Sequence, residues 1–237
     1  MQRYFVSEIN DNKFKLSIED SHHIETVMRM NLGDLIEVIF NNQLYIAKII
    51  KFNPVIVEII EKNNTNNELE NKVIICQSLV KETKMDLILQ KCTELGMYSF
   101  IPLSVKNSII KGSNKDFEKK VIRWQKIVEG ASRQSKRNII PKVNKVIDIN
   151  ELLKLDFDLK ILCTVNEVSR SLKYVLQNHK NCDTMIIVIG PEGGFTKEEE
   201  QLLIDNGYIS TSLGNLVLRT ETAGICVLSM INYEYER

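Results

Sequence analysis

The sequence predicts an α/β protein in two parts, a small β-rich N-terminal domain followed by a larger domain built on a mainly parallel sheet. Three observations carry this reading. Residues 1 to 60 hold short β-rich runs at close spacing, residues 61 to 71 are polar, and beyond Asn71 apolar runs alternate with amphipathic helical patterns. The chain has 237 residues, 43% hydrophobic and 26% charged, enough apolar material for one large or two smaller cores.

The β-rich runs are Arg3 to Val6, Lys13 to Ser17, Asp34 to Phe40, Gln43 to Lys51 and Val55 to Glu61, a spacing that favours a small antiparallel sheet or barrel. Phe40-Asn41-Asn42-Gln43 offers residues that tolerate positive φ, as a tight hairpin demands. One helix interrupts the pattern: Asp20 or Ser21 can cap it, Ile24, Val27 and Met28 form its apolar stripe, and Gly33 ends it. Glu61 to Asn71 is nearly free of apolar side chains and reads as a linker, or else as a long hairpin loop. The linker reading divides the chain into residues 1–70 and 71–237.

In the second part the expected strands are Val73 to Leu79, Tyr98 to Leu103, Lys160 to Val165, Thr184 to Gly190 and Ile209 to Leu213. Between them, Met85, Ile88, Leu89, Cys92 and Leu95 form one helical stripe that Gly96 terminates. Phe117, Val121, Trp124, Val128 and Ala131 form another that ends before Pro141. The last helix, from about Glu221 to Tyr235, is nearly apolar on every face between Ala223 and Ile231, so it is expected to be buried all round. A partner subunit can cover its second face, which predicts a homodimer.

Several classes are disfavoured. The 31 basic and 31 acidic side chains cancel, so any nucleic-acid contact must be local. No apolar run approaches the roughly 18 residues needed to span a bilayer, and the N-terminal residues lack a secretory signal, so a cytoplasmic protein without membrane contact is expected. The five cysteines form no CxxC pair, and adjacent His22 and His23 cannot face one metal from a helix or strand, so no metal site is expected.

Two glycine-centred loops hold most of the functional signal: Gly190-Pro191-Glu192-Gly193-Gly194-Phe195, and the stretch from Leu213 to Ala223. Each follows a predicted strand, and open α/β sheets bind ligands beyond the carboxyl ends of their strands. Glycine lets the backbone turn sharply and lie against a ligand. Thr196 and Glu199 then make a T-x-x-E capping box. Leu216-Val217-Leu218 is unusually apolar for a loop and suits a flat or greasy ligand moiety. Neither loop matches the dinucleotide or P-loop signature, although a phosphate at the helix start after Gly194 stays compatible with the pattern. Read without further context, the loops are equally well two plain turns in an α/β sheet.

The strings I-G-P-E-G-G-F-T-x-E-E and L-G-x-x-x-L-R-x-E-T-A change that balance. They resemble the SPOUT superfamily of knotted, S-adenosylmethionine-dependent RNA methyltransferases, and within it the ribosomal RNA small subunit methyltransferase E family. Four further elements fit in order: His22-His23 with Val27, Arg29 and Gly33-Asp34; Thr93-Glu94-Leu95-Gly96; Ile101-Pro102; and Glu129, Gln134, Arg137 and Pro141. Met28 departs from the family's usual leucine, and Gly130 to Arg133 is less acidic than its counterpart.

The resemblance implies a deep trefoil knot in the C-terminal SPOUT domain, an N-terminal PUA-like β-barrel, and methylation of N3 of a uridine in small-subunit ribosomal RNA. The partner is then that RNA, free or in the assembled subunit. Cofactor residues carried over by motif position are Thr164, Ile189, Gly190, Gly194, Leu213, Gly214 and Leu218. N3 carries a weakly acidic proton, so the reaction needs a base or a cation that stabilises charge on the flanking carbonyls. Arg219 is the expected cation, and Glu192 or Glu221 the base or its orienter; either carboxylate could instead simply favour a helix N-terminus. The window Lys111 to Arg137 holds nine basic and three acidic residues, a local positive patch in which Arg133 and Arg137 are the expected phosphate contacts. That patch reads equally as a solvated helix face with Glu129 and Arg133 paired. His22, His23 and Arg29 are further RNA candidates, with packing inside the barrel as the other role of the histidines. Two alternatives stand beside the enzyme: a non-catalytic RNA-binding or ribosome-assembly protein on the same fold, and a nucleotide-binding enzyme.

Overall fold

The computed structural model describes residues 1–110, 112–180 and 182–235, in two compact units. Lys111, the first residue of the basic window, lies outside the described residues. The first unit comprises Met1–Glu68 together with Ser132–Ile139, and the second Leu69–Ala131 with Ile140–Arg237.

The first unit is a six-stranded sheet of β1 (Arg3–Phe5), β2 (Ile9–Asn10), β3 (Lys13–Lys15), β4 (Leu35–Phe40), β5 (Gln43–Lys51) and β6 (Ile56–Asn63), in the order β1-β4-β5-β6-β3-β2. Only the β1–β4 pairing is parallel. Asn41 and Asn42 both take positive φ, 49° and 63°, as a two-residue hairpin between twisted strands requires. Alternate side chains such as Ile36, Val38, Ala47, Ile49 and Val57 meet Tyr4, Phe14 and Ile24 in its core.

The helix of this unit differs from expectation. It is α1 (Ile18–His22), capped by Ser17 rather than by Asp20 or Ser21, and it runs into a π-helical turn, His23–Val27. The Ser17 hydroxyl accepts from Asp20 N at 3.0 Å and donates to the Asp20 carboxylate at 2.8 Å, so Asp20 completes a cap one turn earlier than the pattern implied. Ile24 is fully buried, but Val27 and Met28 are exposed, because the π turn rotates the stripe off the core. The polar stretch is also shorter than it reads, since β6 continues to Asn63.

The second unit is a seven-stranded sheet in which every strand pairing among the described residues is parallel. Its strands are β7 (Lys72–Ser78), β8 (Ser99–Ser104), β9 (Lys142–Val143), β10 (Ile147–Asp148), β11 (Leu159–Cys163), β12 (Thr184–Ile189) and β13 (Ile209–Thr211). The order is β10-β8-β7-β12-β11-β13, with β9 also on β8. Period-2 alternation sends Val73, Ile75, Met185 and Ile187 to one face and Ile74, Cys76, Ile186 and Val188 to the other. On the first face lie α2 (Glu82–Glu94), α3 (Asn114–Gln134), α5 (Leu172–Asn178) and α7 (Thr220–Tyr235); on the second lie α4 (Ile149–Leu152) and α6 (Lys197–Asp205). The stripes expected on α2 and α3 are the ones that pack, with Met85, Ile88, Leu89, Cys92, Trp124 and Val128 buried.

Helix α7 is not buried all round within one chain. Ala223, Gly224, Val227, Leu228 and Ile231 face the core, whereas Thr222, Ser229, Met230 and Tyr233 are exposed, Tyr233 at 82%. No helix among the described residues is long and apolar enough to cross a membrane.

Candidate active site

The loops that follow β11, β12 and β13 converge beyond the carboxyl ends of those neighbouring strands, as the parallel order requires. They enclose a cleft of about 810 Å³, within the range typical of small-molecule sites. All seven residues expected to hold a cofactor, Thr164, Ile189, Gly190, Gly194, Leu213, Gly214 and Leu218, line this one cleft, together with Glu192 and Arg219.

Gly194 (φ 67°) and Gly214 (φ 128°) occupy the region that favours glycine, and a Cβ at either would meet no atom within 4 Å. Their backbones therefore border open space, as close approach of a ligand needs. Gly190 is different: the Phe195 ring packs 3.1 Å from where its Cβ would stand. The two loops are tied at their base. Gln77 on β7 is fully buried and donates to the Thr220 hydroxyl at 2.9 Å, and Thr220 donates to the Gly190 carbonyl at 2.6 Å. Asn107 donates to the Gly194 carbonyl at 3.1 Å, and the expected Thr196–Glu199 capping box starts α6. Leu216 and Val217 are more than 80% exposed at the cleft edge.

Thr164 lines the cleft, but its hydroxyl is engaged: it donates to Glu200 at 2.7 Å and accepts from Asn166 N at 3.2 Å. Its side chain shapes the loop, and any contact it makes with a ligand falls to its backbone or methyl group. The same loop is held by Glu167, which accepts from Ser169 N, Ser169 Oγ, Arg170 N and Ser210 Oγ. The Ser169 hydroxyl and those backbone N–H groups hold its carboxyl far below the usual range, at about 2.

At the mouth, the Lys84 ammonium on α2 stands 3.0 Å from Glu192 Oε1 and 3.1 Å from Glu221 Oε2. The two carboxylates push Lys84 above its ordinary value. Burial works to raise the Glu221 carboxyl, but its own backbone N–H, Lys84 and Arg219 outweigh burial and hold it below the usual carboxylate range. Arg219 is exposed and forms no ion pair among the described residues. Lys84, Asn166 and Glu200 carry no glycine-loop motif, and sequence reasoning missed them. The one local signal was a cation in the first turn of a helix, where the dipole disfavours it.

The expected RNA contacts divide. Arg137 is 3% exposed and ion-paired with Glu68, which also accepts from Asn138 N and Ile139 N, so it is a structural guanidinium and not an exposed phosphate contact. Arg137 also lies beyond α3, which carries Arg133 and ends at Gln134, so the two arginines do not share the helix face that a continuous helix would give them. Arg133 bonds Asp20 at 2.9 Å, and Arg123 pairs with Glu82 and Asp86. Lys115, Lys119 and Lys126 remain exposed on α3. In the first unit His22 and Arg29 are exposed, while His23 Nδ1 is 3.0 Å from the Tyr4 hydroxyl.

A parallel α/β sheet with glycine-walled loops at its carboxyl edge is the frame of a nucleoside-cofactor enzyme, and the matched family narrows it to an RNA methyltransferase. The model of an RNA methyltransferase domain matches residues 67–232, and that of an RNA methyltransferase PUA domain matches residues 16–60. The chain is 36% identical over 252 residues to the ribosomal RNA small subunit methyltransferase E of Bacillus subtilis (strain 168), covering 100% of this chain and 98% of that protein. It is 35% identical to the enzyme of the same name from Mesomycoplasma hyopneumoniae (strain 232), covering 97% and 98%. A crystal structure of a ribosomal RNA small subunit methyltransferase E from Neisseria gonorrhoeae, bound to S-adenosyl methionine, superposes with a TM-score of 0.90 at 26% identity, covering 99% of this chain and 98% of that one. The chain belongs to the ribosomal RNA small subunit methyltransferase E family.

Proposed function

We propose that this protein is an S-adenosylmethionine-dependent methyltransferase that acts on N3 of a uridine in small-subunit ribosomal RNA. The observation that carries the reading is the convergence of three strand-end loops on one cleft with a free arginine at its mouth. The residues present fit the cofactor. Gly194 and Gly214 leave bare backbone beside open space against which a ligand can lie, and Leu213, Leu216 and Leu218 offer apolar surface to a flat ring. When bound, S-adenosylmethionine supplies an electrophilic methyl carbon on a sulfonium sulfur.

The chain's own residues then have defined tasks. Arg219 faces the target and stabilises negative charge that spreads onto the carbonyl oxygens flanking N3. Glu192 or Glu221 takes or relays the N3 proton, and both carboxylates stand within ion-pair distance of Lys84. Because an ion-paired carboxylate is a weak base, cation stabilisation and in-line positioning supply most of the rate. Lys115, Lys119 and Lys126 grip RNA phosphates in place of Arg137, and Arg133, His22, His23 and Arg29 add to that grip where they reach solvent.

The reading includes three structural proposals. Residues 1–70 form a PUA-like barrel that holds RNA, supported by the six-stranded sheet and the matched PUA domain. Residues 71–237 form a SPOUT domain with a deep trefoil knot, supported by the return of the chain from edge strand β13 to α7, which packs on central strands β7 and β12. The protein is a cytoplasmic homodimer, supported by the exposed outer face of α7.

Calorimetry with S-adenosylmethionine, S-adenosylhomocysteine and ATP tests the cofactor: the first two bind and ATP does not. Mass mapping of ribosomal RNA from a deletion strain then reads the nucleotide and the modified atom together. Cofactor binding with unchanged RNA would favour the non-catalytic assembly protein.

A further inference from the structure

We propose that Lys84 is a positioning residue: it pairs with Glu192, which lines the cleft, and with Glu221 behind it, which locks the first glycine loop to the start of α7 and leaves Arg219 free to face the target. The proposal rests on the methyltransferase reading of this cleft.

One ammonium joins three segments that are distant in sequence. Lys84 is the third residue of α2, Glu192 lies within the first glycine loop, and Glu221 is the second residue of α7. Each contact is of ion-pair length, 3.0 and 3.1 Å, so the two carboxylates converge on a single cation. Without it they would repel each other across the cleft mouth. The first turn of a helix is also the wrong end for a lysine, because its free N–H groups carry positive potential. Helix stability therefore does not account for Lys84, whereas its two partners do.

The charge balance shows what the clamp achieves. Glu192 and Glu221 carry two negative charges, Lys84 one positive and Arg219 one positive, so the group is neutral. Within it the structure assigns both ion pairs to Lys84 and leaves Arg219 exposed. Arg219 is two residues from Glu221 and close enough to act on its carboxyl. Once Lys84 is gone, Glu221, on which Arg219 already acts, is left to pair with the guanidinium, and the group needed at the target is drawn back into the wall.

Lys84→Met and Lys84→Arg compared with wild type test this with three readouts. The single-turnover rate should fall roughly tenfold to hundredfold in Lys84→Met, the scale expected when a reacting group is misplaced by about an ångström. S-adenosylmethionine affinity should change by much less, and the acid limb of the pH–rate profile should move to higher pH as Glu221 loses the cation that helps hold its carboxyl low. Lys84→Arg should restore most of the rate. Amide hydrogen exchange should quicken in both Gly190–Phe195 and Arg219–Ala223 of Lys84→Met, whether or not RNA is present. A wild-type rate in Lys84→Met, or unchanged exchange in both segments, overturns the clamp. The Lys84 side chain is part-exposed, so its loss leaves the core intact; should that variant fail to fold, Glu192→Gln and Glu221→Gln must each quicken exchange in their own segment, and unchanged exchange there overturns it equally. If wild-type protein neither binds S-adenosylmethionine nor methylates RNA, the methyltransferase reading falls, while the exchange result still judges the clamp.

Discussion

Arg219 and Glu167 are the side chains whose roles separate most cleanly by experiment. Arg219 is exposed at the cleft mouth and its side chain ties down neither glycine loop. Arg219→Ala should therefore keep S-adenosylmethionine affinity within a few-fold while turnover falls by roughly 10² or more, the usual cost of losing one charge-stabilising group. Near-normal turnover would remove Arg219 from the chemistry. Glu167 works on the loop instead. Its carboxyl is held at about 2 in the fold, against an ordinary value of 4.5, by the Ser169 hydroxyl and by backbone N–H groups. A depressed folded value stabilises the protein above the unfolded value and stops doing so as pH falls through the folded one. Wild type should thus melt higher than Glu167→Gln above about pH 4.5, with the gap closing as pH drops towards about 2. A gap independent of pH would show that the carboxylate charge is not what holds the loop.

Among the elements, α7 packs against α2, α5 and the central strands β7 and β12. Gly224 brings it close to its neighbours: a Cβ there would lie 3.2 Å from Cys92 Sγ on α2 and 3.4 Å from Ile189 Cδ1 on β12. Gly224→Ala trades this tight contact against a gain in helix propensity of about 1 kcal/mol, so its net effect should be small. Gly224→Val adds further carbons and a β-branched side chain, and should cost about 1–3 kcal/mol by overpacking. Urea unfolding of the two variants checks this, and equal midpoints would mean the helices have room to part. The same helix shows why local reading misjudged burial. Its apolar run is real, but one chain covers only the face carrying Ala223, Val227, Leu228 and Ile231. The start of α1 was misplaced for a related reason, because Ser17-Ile18-Glu19-Asp20 offers several side chains able to cap and only the fold selects Ser17.

For the whole molecule the outer face of α7 sets the expected assembly. Met230 and Tyr233 are exposed there beside Ser229 and Cys226, a mostly apolar strip that a second copy would bury. Light scattering should give a dimer at micromolar concentration, and Tyr233→Arg should shift it towards monomer by placing a charge in a desolvated contact. A monomeric wild type would end the dimer proposal. The formal net charge is zero, so in the proposed function RNA capture would rest on the local lysines of α3 and not on the protein's total field.

The strands longer than two residues, the Asn41-Asn42 hairpin, the α2 and α3 stripes, the Thr196–Glu199 capping box and the glycine-loop side of the cleft were legible in the sequence, whereas the two-residue strands β2, β9 and β10 and the cleft residues Lys84, Asn166 and Glu200 were not. Each legible feature rests on short-range physics: side-chain alternation, helical period, turn tolerance, or glycine where a backbone must stay bare. The tertiary structure alone decided which charges are free. Arg133 and Arg137 look like Lys115 and Lys119 in one dimension, yet Asp20 and Glu68 claim the two arginines. Ser132–Ile139 joins the first unit although it follows a helix that begins in the second. Lys84 gains its meaning only from Glu192 and Glu221. Ion pairing depends on distance in space and on desolvation, and neither is encoded by neighbours along the chain, so the fold had to assign those partners.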